Sequence, residues 1–183
     1  KVTGYRINRA ARNLRTQRSY SVLVLLPDLA NPFFSTILEG ISSHLSHEGY
    51  SLLIASTKQI HESGERLIDY LDDVRADGII ILDGGLDPQV VEMLKDAPQA
   101  NRILFACEWI EGTKFPSVRC QNRNGARTAV RHLYELDHRK IAHVTGPKEN
   151  VLSITRKEAF IKEMAKLNLV LKPEWIITGD FSL

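Results

Sequence analysis

"SVLVLLPDLANPFFSTILEGISSHLSHEGYSLLIAS" (residues 21–56) reads as a strand, a helix and a second strand in direct succession. Residues 21–27 form an unbroken apolar run closed by Pro27, as expected of a strand buried on both faces. Phe33, Ile37, Ile41 and Leu45, with Phe34 and Leu38 beside them, then recur at helical spacing until Gly49. "SLLIAS" (51–56) returns to strand character. Two strands joined by a helix of this length form a βαβ unit, so the strands are expected to run parallel.

The same rhythm continues along the chain. A helix is expected over 62–74, a strand over 78–82, a helix over 88–97 and a strand over 102–107. After the Gly- and Pro-bearing stretch 112–116 come a short strand "SVRC", a helix over 123–136 and a strand over 140–146. A helix over 154–167 and a strand over 174–179 complete the pattern. The fold class is therefore α/β, with parallel sheets flanked by helices. The last strand is followed by no helix, and the pattern reads as truncated at both ends.

Composition bounds the function classes. The chain has 183 residues, 43% hydrophobic and 25% charged, the profile of a globular core. No apolar run approaches the roughly 20 residues of a membrane helix. No secretory signal is expected, and because the sequence opens on Lys1 a true N-terminus is expected upstream. Cys107 and Cys120 lack metal spacing and sit in apolar strand-like contexts, so buried reduced thiols and a reducing, cytoplasmic compartment are expected.

Nucleotide-binding glycine loops, the nucleophile-elbow motif and the zinc-protease motif are all absent, so neither an enzyme nor a cofactor is expected. The histidines offer no metal-ligand spacing. His44 and His47 are expected on the outer side of the first helix, and His143 as a satisfied core histidine.

Charge is unevenly distributed. Six of the 24 Lys and Arg fall within residues 1–18, which contain none of the 22 Asp and Glu. As a helix from Asn8, a good N-cap, this segment would line up Arg9, Arg12 and Arg15 as a basic stripe. Ala10, Ala11 and Leu14 would form a small apolar face. Eight residues are too few for a stable isolated helix. The segment reads either as a solvated leader or as an arm that orders against polyanionic DNA.

Ligands of open parallel sheets bind beyond the carboxyl ends of the strands. Those loops carry Asn31, Phe33 and Phe34, then Asp83, then Glu108 and Trp109, then Asn150 and Arg156. Aromatic faces combined with a few polar groups suit a small polar ligand such as a sugar or nucleoside. Taken singly, the two phenylalanines could equally be core, and Asp83, Glu108 and Arg156 could be solvated.

In combination, "GYRINRAARNL", "PDLANPFF", "ADGIII", "NRNGA" and "HRKIAHVTGP" resemble the LacI/GalR family of bacterial transcription regulators, over essentially the whole chain. The resemblance implies a periplasmic-binding-protein-like core of type I. Residues 1–18 would be the end of a helix-turn-helix DNA-binding module plus a hinge helix. Residues 19–118 would be the N-terminal core subdomain, and 119–183 the start of a C-terminal subdomain.

It further implies a homodimeric repressor that binds operator DNA and a small effector. Asn8, Arg9, Ala11, Arg12, Leu14 and Arg15 would belong to the DNA hinge, with Leu14 as the wedge between base pairs. Asn31, Phe33, Phe34, Glu108, Asn150 and Arg156 would line the effector cleft. Gln121 beside Asn122, Asp137 before His138, and "KEN" with Leu152 after Pro147 depart from the family pattern and leave the effector open. Leu45, Tyr70 and Leu71 are expected at the dimer contact. The rival from another class is a sugar-binding protein of a transport system, with the same core and no DNA role.

Overall fold

A computed structural model describes residues 16–63 and 66–181. The hinge expected over residues 8–15 lies outside them. The chain divides into two compact units, one up to Phe105 and one from Ala106 onward.

Unit 1 is built on a parallel sheet. β1 (Ser21–Leu26), β2 (Ser51–Ser56), β3 (Gly78–Ile81) and β4 (Ile103–Ala106) stand in the order β2-β1-β3-β4. Ser21 pairs with Ser51, and Leu26 with Ser56. On the other side of β1, Val22 faces Gly78 and Leu25 faces Ile81. With a neighbour on each edge and helices over the faces, β1 must be apolar throughout its second half, and Leu23–Leu26 are fully buried. Ile79, Ile81, Ile103 and Phe105 complete the centre of this core.

Helix α1 (Pro32–His47) connects β1 to β2. Asn31 starts it by accepting the Phe33 N–H at 3.0 Å, and Pro32 occupies the first turn, where its missing N–H costs nothing. Gly49 ends it: at φ +77° it lets its own N–H reach Ser46 O and the Tyr50 N–H reach Leu45 O at 2.8 Å.

The helix expected over 62–74 is instead two, α2 (Thr57–Ser63) and the single turn α3 (Asp69–Asp72). Val74 closes the second in the left-handed region, at φ +55°. Leu67 and Leu71 are both buried, so one apolar period runs through the loop and the second helical turn alike. Tyr70 (9% exposed) and Leu71 (3%) fill the core under this segment, so they cannot be the partner-facing residues expected from the sequence. Helix α4 (Pro88–Asp96), capped by Asp87, leads to β4.

Unit 2 holds α5 (Asn122–Glu135) and α6 (Val151–Lys166) beside a two-stranded parallel sheet of β6 (His143–Thr145) and β7 (Ile176–Thr178). The short β5 (Ser117–Val118) lies near its start, with Val118 O accepting the Cys107 N–H at 2.9 Å. Val130, Ile141, Phe160 and Met164 form the core, surrounded by Leu133, Leu167, Leu169, Leu171 and Ile176. The strand at 140–146 shortens to three residues, and Pro173–Trp175 forms a 3₁₀ turn before β7.

The expectation of two buried thiols is not met. Cys107 is half-buried, and burial pushes its thiol up, whereas Cys120 is exposed; both are unpaired cysteines.

Candidate functional site

In unit 1, the loops after β1 and β3 carry the residues singled out. Asn31 uses its side chain to cap α1, so its position is fixed by helix geometry. Phe33 and Phe34 meet edge to face, with centroids 5.1 Å apart and planes at 75°. Their environments differ sharply: Phe34 is 8% exposed and anchors α1, while Phe33 is 56% exposed and offers an open aromatic face. Of the two, Phe34 is a core residue and Phe33 is open to solvent.

Asp83, just past β3, is held from two sides. Its Oδ2 accepts from Thr57 Oγ1 at 2.6 Å and its Oδ1 from the Gly85 N–H at 2.8 Å. Asp83 and Thr57 border a cavity of about 490 Å³ floored by Ile60, Leu67, Leu86 and Val90.

In unit 2, Glu108 Oε1 accepts from Asn150 Nδ2 at 2.9 Å. The other half of the Asn150 amide caps α6, accepting from the Leu152 and Ser153 N–H groups at 2.9 and 3.3 Å. One asparagine therefore joins the loop after β6 to Glu108. Trp109 lies buried at 8% exposure, its Nε1 donating to Glu111 Oε1 at 2.7 Å. The Arg119 guanidinium lies 4.2 Å from the centroid of its ring. Trp109 is thus packed under a cation within unit 2.

Arg156, on the second turn of α6, donates from Nε to Asn122 Oδ1 at 2.9 Å. Both residues line a cavity of about 410 Å³ that also includes His143 and Phe160. The planar guanidinium is suited to bidentate contact with oxygens.

The sequence reading missed Asn122 and Thr57 as partners of Arg156 and Asp83. Neither residue type signals pairing with a residue some thirty positions away. It also mistook His143. The ring stacks on Phe160 (4.9 Å, 17°), but its buried Nε2 meets no hydrogen-bond partner among the described residues, contrary to the satisfied histidine expected.

Burial first, then the neighbouring Arg156 and Lys157 charges, hold the His143 imidazole below the ordinary histidine range. The unfolded chain therefore binds a proton that the folded chain refuses. Unit 2 should lose stability as pH falls through about 6.5, the unfolded histidine value. Thermal melts between pH 7.5 and 5.5 should show this slope, and His143→Phe should flatten it while preserving the stack on Phe160.

Residues 19–182 match the model for "Periplasmic binding proteins and sugar binding domain of LacI family". The chain is 29% identical over 181 residues to the transcriptional repressor CytR of Escherichia coli K12, covering 98% of this chain and 52% of the repressor. It is 26% identical over 178 residues to the repressor PurR of Aliivibrio fischeri, covering 97% of this chain and 52% of PurR. Catabolite control protein A of Priestia megaterium is also 26% identical, with 98% and 54% covered.

The chain thus spans about half the length of the curated relatives it matches. A Burkholderia thailandensis structure described as a ribose operon repressor superposes with TM-score 0.76 at 27% identity, covering 88% of this chain and 61% of that one. The regulator CelR in complex with cellobiose shares the fold at TM-score 0.76 and 22% identity, covering 94% and 56%. With the α/β units, the strand-end loops and a family match across residues 19–182, the chain belongs to the LacI family of transcriptional regulators, in its periplasmic-binding-protein-like, sugar-binding part.

Proposed function

We propose that the protein carrying this chain is a ligand-responsive repressor of transcription. A small sugar or nucleoside binds at the strand-end loops, and residues 1–18, with a DNA-binding module on the same polypeptide, engage an operator. The observation that carries this reading is the cationic, acid-free segment 1–18 joined to a core of this family. The CytR match extends over 181 of the 183 residues, so it takes in that segment as well as the core. A transport protein of the same family would share the core and have no use for the basic arm.

In unit 2, Arg156 and Asn122 are suited to ligand oxygens. In unit 1, taken by itself, Phe33 offers an exposed aromatic face. Phosphate neutralisation by Arg9, Arg12 and Arg15 would supply salt-dependent DNA affinity, with Leu14 as an apolar wedge. The active form would be a homodimer working in the cytoplasm, with two such arms on one operator. A thermal-shift screen of sugars and nucleosides tests the sensing half, because a ligand that binds only the folded state raises its melting temperature. A flat response across both classes would remove the ligand reading.

The arm is tested separately. Leu14→Ala in the full-length protein should weaken operator binding while leaving ligand affinity unchanged within error. Parallel loss of both would place residue 14 in the core instead.

A further inference from the structure

We propose that Asp77 is the positioning residue that fixes the course of residues 17–20, through which the basic segment joins unit 1, and so delivers movements of the core to DNA. This rests on the regulator reading above. The Asp77 carboxylate accepts three hydrogen bonds from the residues that follow that segment: Ser19 N–H at 2.8 Å, Ser19 Oγ at 3.0 Å and Tyr20 N–H at 3.1 Å. Its own N–H donates to Ser21 O at 2.8 Å. A carboxylate held by backbone donors forms strong charge-assisted bonds, so the clasp binds more firmly than a neutral turn would.

The chain adjoining the clasp is bent in a costly way. Gln17 and Tyr20 both take left-handed backbone angles, φ +51° and +52°. For residues other than glycine this conformation is disfavoured, and it persists only where surrounding contacts dictate it. Those contacts are present. Besides the carboxylate, Tyr20 O accepts the Ser51 N–H at 2.8 Å, and the Tyr20 ring tilts against Tyr50 with centroids 5.7 Å apart. A leader with no task would need neither the bend nor the clasp.

Placement gives the clasp its consequence. Ser21, Ser51 and Gly78 are the first residues of β1, β2 and β3, which run parallel. The clasp therefore sits at the starting edge of the sheet, and the loops bearing Asn31, Phe33 and Asp83 leave its opposite edge. Asp77 precedes β3 and Asp83 follows it, so one buried strand joins the anchor to a candidate ligand residue. A rigid strand moves as a unit, and a reorientation of unit 1 reaches residue 18 only while the clasp holds.

The test uses the full-length protein and the duplex that the wild type selects from a random-sequence library. In Asp77→Asn the amide nitrogen must face one of the donors, so the clasp opens without loss of volume. Duplex affinity should fall at least tenfold. Hydrogen exchange of the Ser19 and Tyr20 amides should accelerate tenfold or more, while the amides of Leu23–Leu26 keep their protection. Ser19→Ala, which removes one of the three bonds and the oxygen that accepts the Ser21 N–H at 3.2 Å, should shift both readouts the same way by about threefold, and it guards against a folding defect in the first variant.

Accelerated exchange with unchanged duplex affinity would overturn the proposal, as would unchanged exchange. A wild type that selects no duplex would instead overturn the regulator reading, and this inference with it.

Discussion

Glu163→Ala should lower the melting temperature of unit 2 by about 10 °C, because Glu163 is the one buried charged side chain among the described residues. Glu163 is on α6 and only 3% exposed. Arg127 Nε donates to its Oε2 at 3.2 Å, and Arg131 Nε donates to its Oε1 from the next turn of α5. The Arg131 hydrogen bond above all, opposed by burial, holds the carboxyl below the ordinary glutamate range.

Removing one partner of a buried ion pair costs about 3–5 kcal/mol when the other charge is stranded. Here both arginines remain 44% exposed at their side chains and can turn to water, so a loss of about 2 kcal/mol is expected. The sign with pH follows from the lowered pKa. The stabilisation is complete above the unfolded glutamate value and is lost as pH falls through the folded one. Glu163→Gln keeps the shape and an acceptor, and should lose about half as much. Melting curves that superpose on the wild type would show that the clamp contributes nothing net.

Arg156→Ala should reduce affinity for a sugar or nucleoside by about 1–3 kcal/mol, or roughly 5- to 150-fold, the cost of a lost charged hydrogen bond. The guanidinium is steadied by Asn122 at 2.9 Å, so its fork is oriented before a ligand arrives. Asn122→Ala should weaken binding less, because it loosens the guanidinium without deleting it. Calorimetric titration measures both. Identical titrations for wild type and Arg156→Ala would remove this residue from the site.

Much of the fold was legible because its signals are local and redundant. β1 and β2 announce themselves as continuous apolar runs, and α1 by a stripe bracketed between Asn31 and Gly49. The helix expected over 62–74 differs from the observed pair because a single apolar periodicity spans two helical pieces, and spacing alone carries no mark of the break. Tyr70 and Leu71 are both buried under this segment, where apolar type alone does not distinguish a core residue from one at a partner contact.

Glu163 escaped notice because it falls on the Phe160–Met164–Leu167 stripe, where a carboxylate is buried only if cations on a neighbouring helix meet it. The candidate site was legible as a set of strand-end residues. Its partnerships were not. Thr57 with Asp83, Asn122 with Arg156 and Ser19 with Asp77 each join residues far apart in sequence, through hydroxyl and amide groups that leave no periodic trace.

The most direct measurement is the affinity of the full-length protein for its selected duplex at fixed salt, with and without a saturating sugar or nucleoside found by the melting screen. Allosteric coupling of ordinary size should change the dissociation constant by at least about fivefold. Equal constants for every compound that raises the melting temperature would mean that the core binds small molecules without informing DNA, contrary to a ligand-responsive repressor.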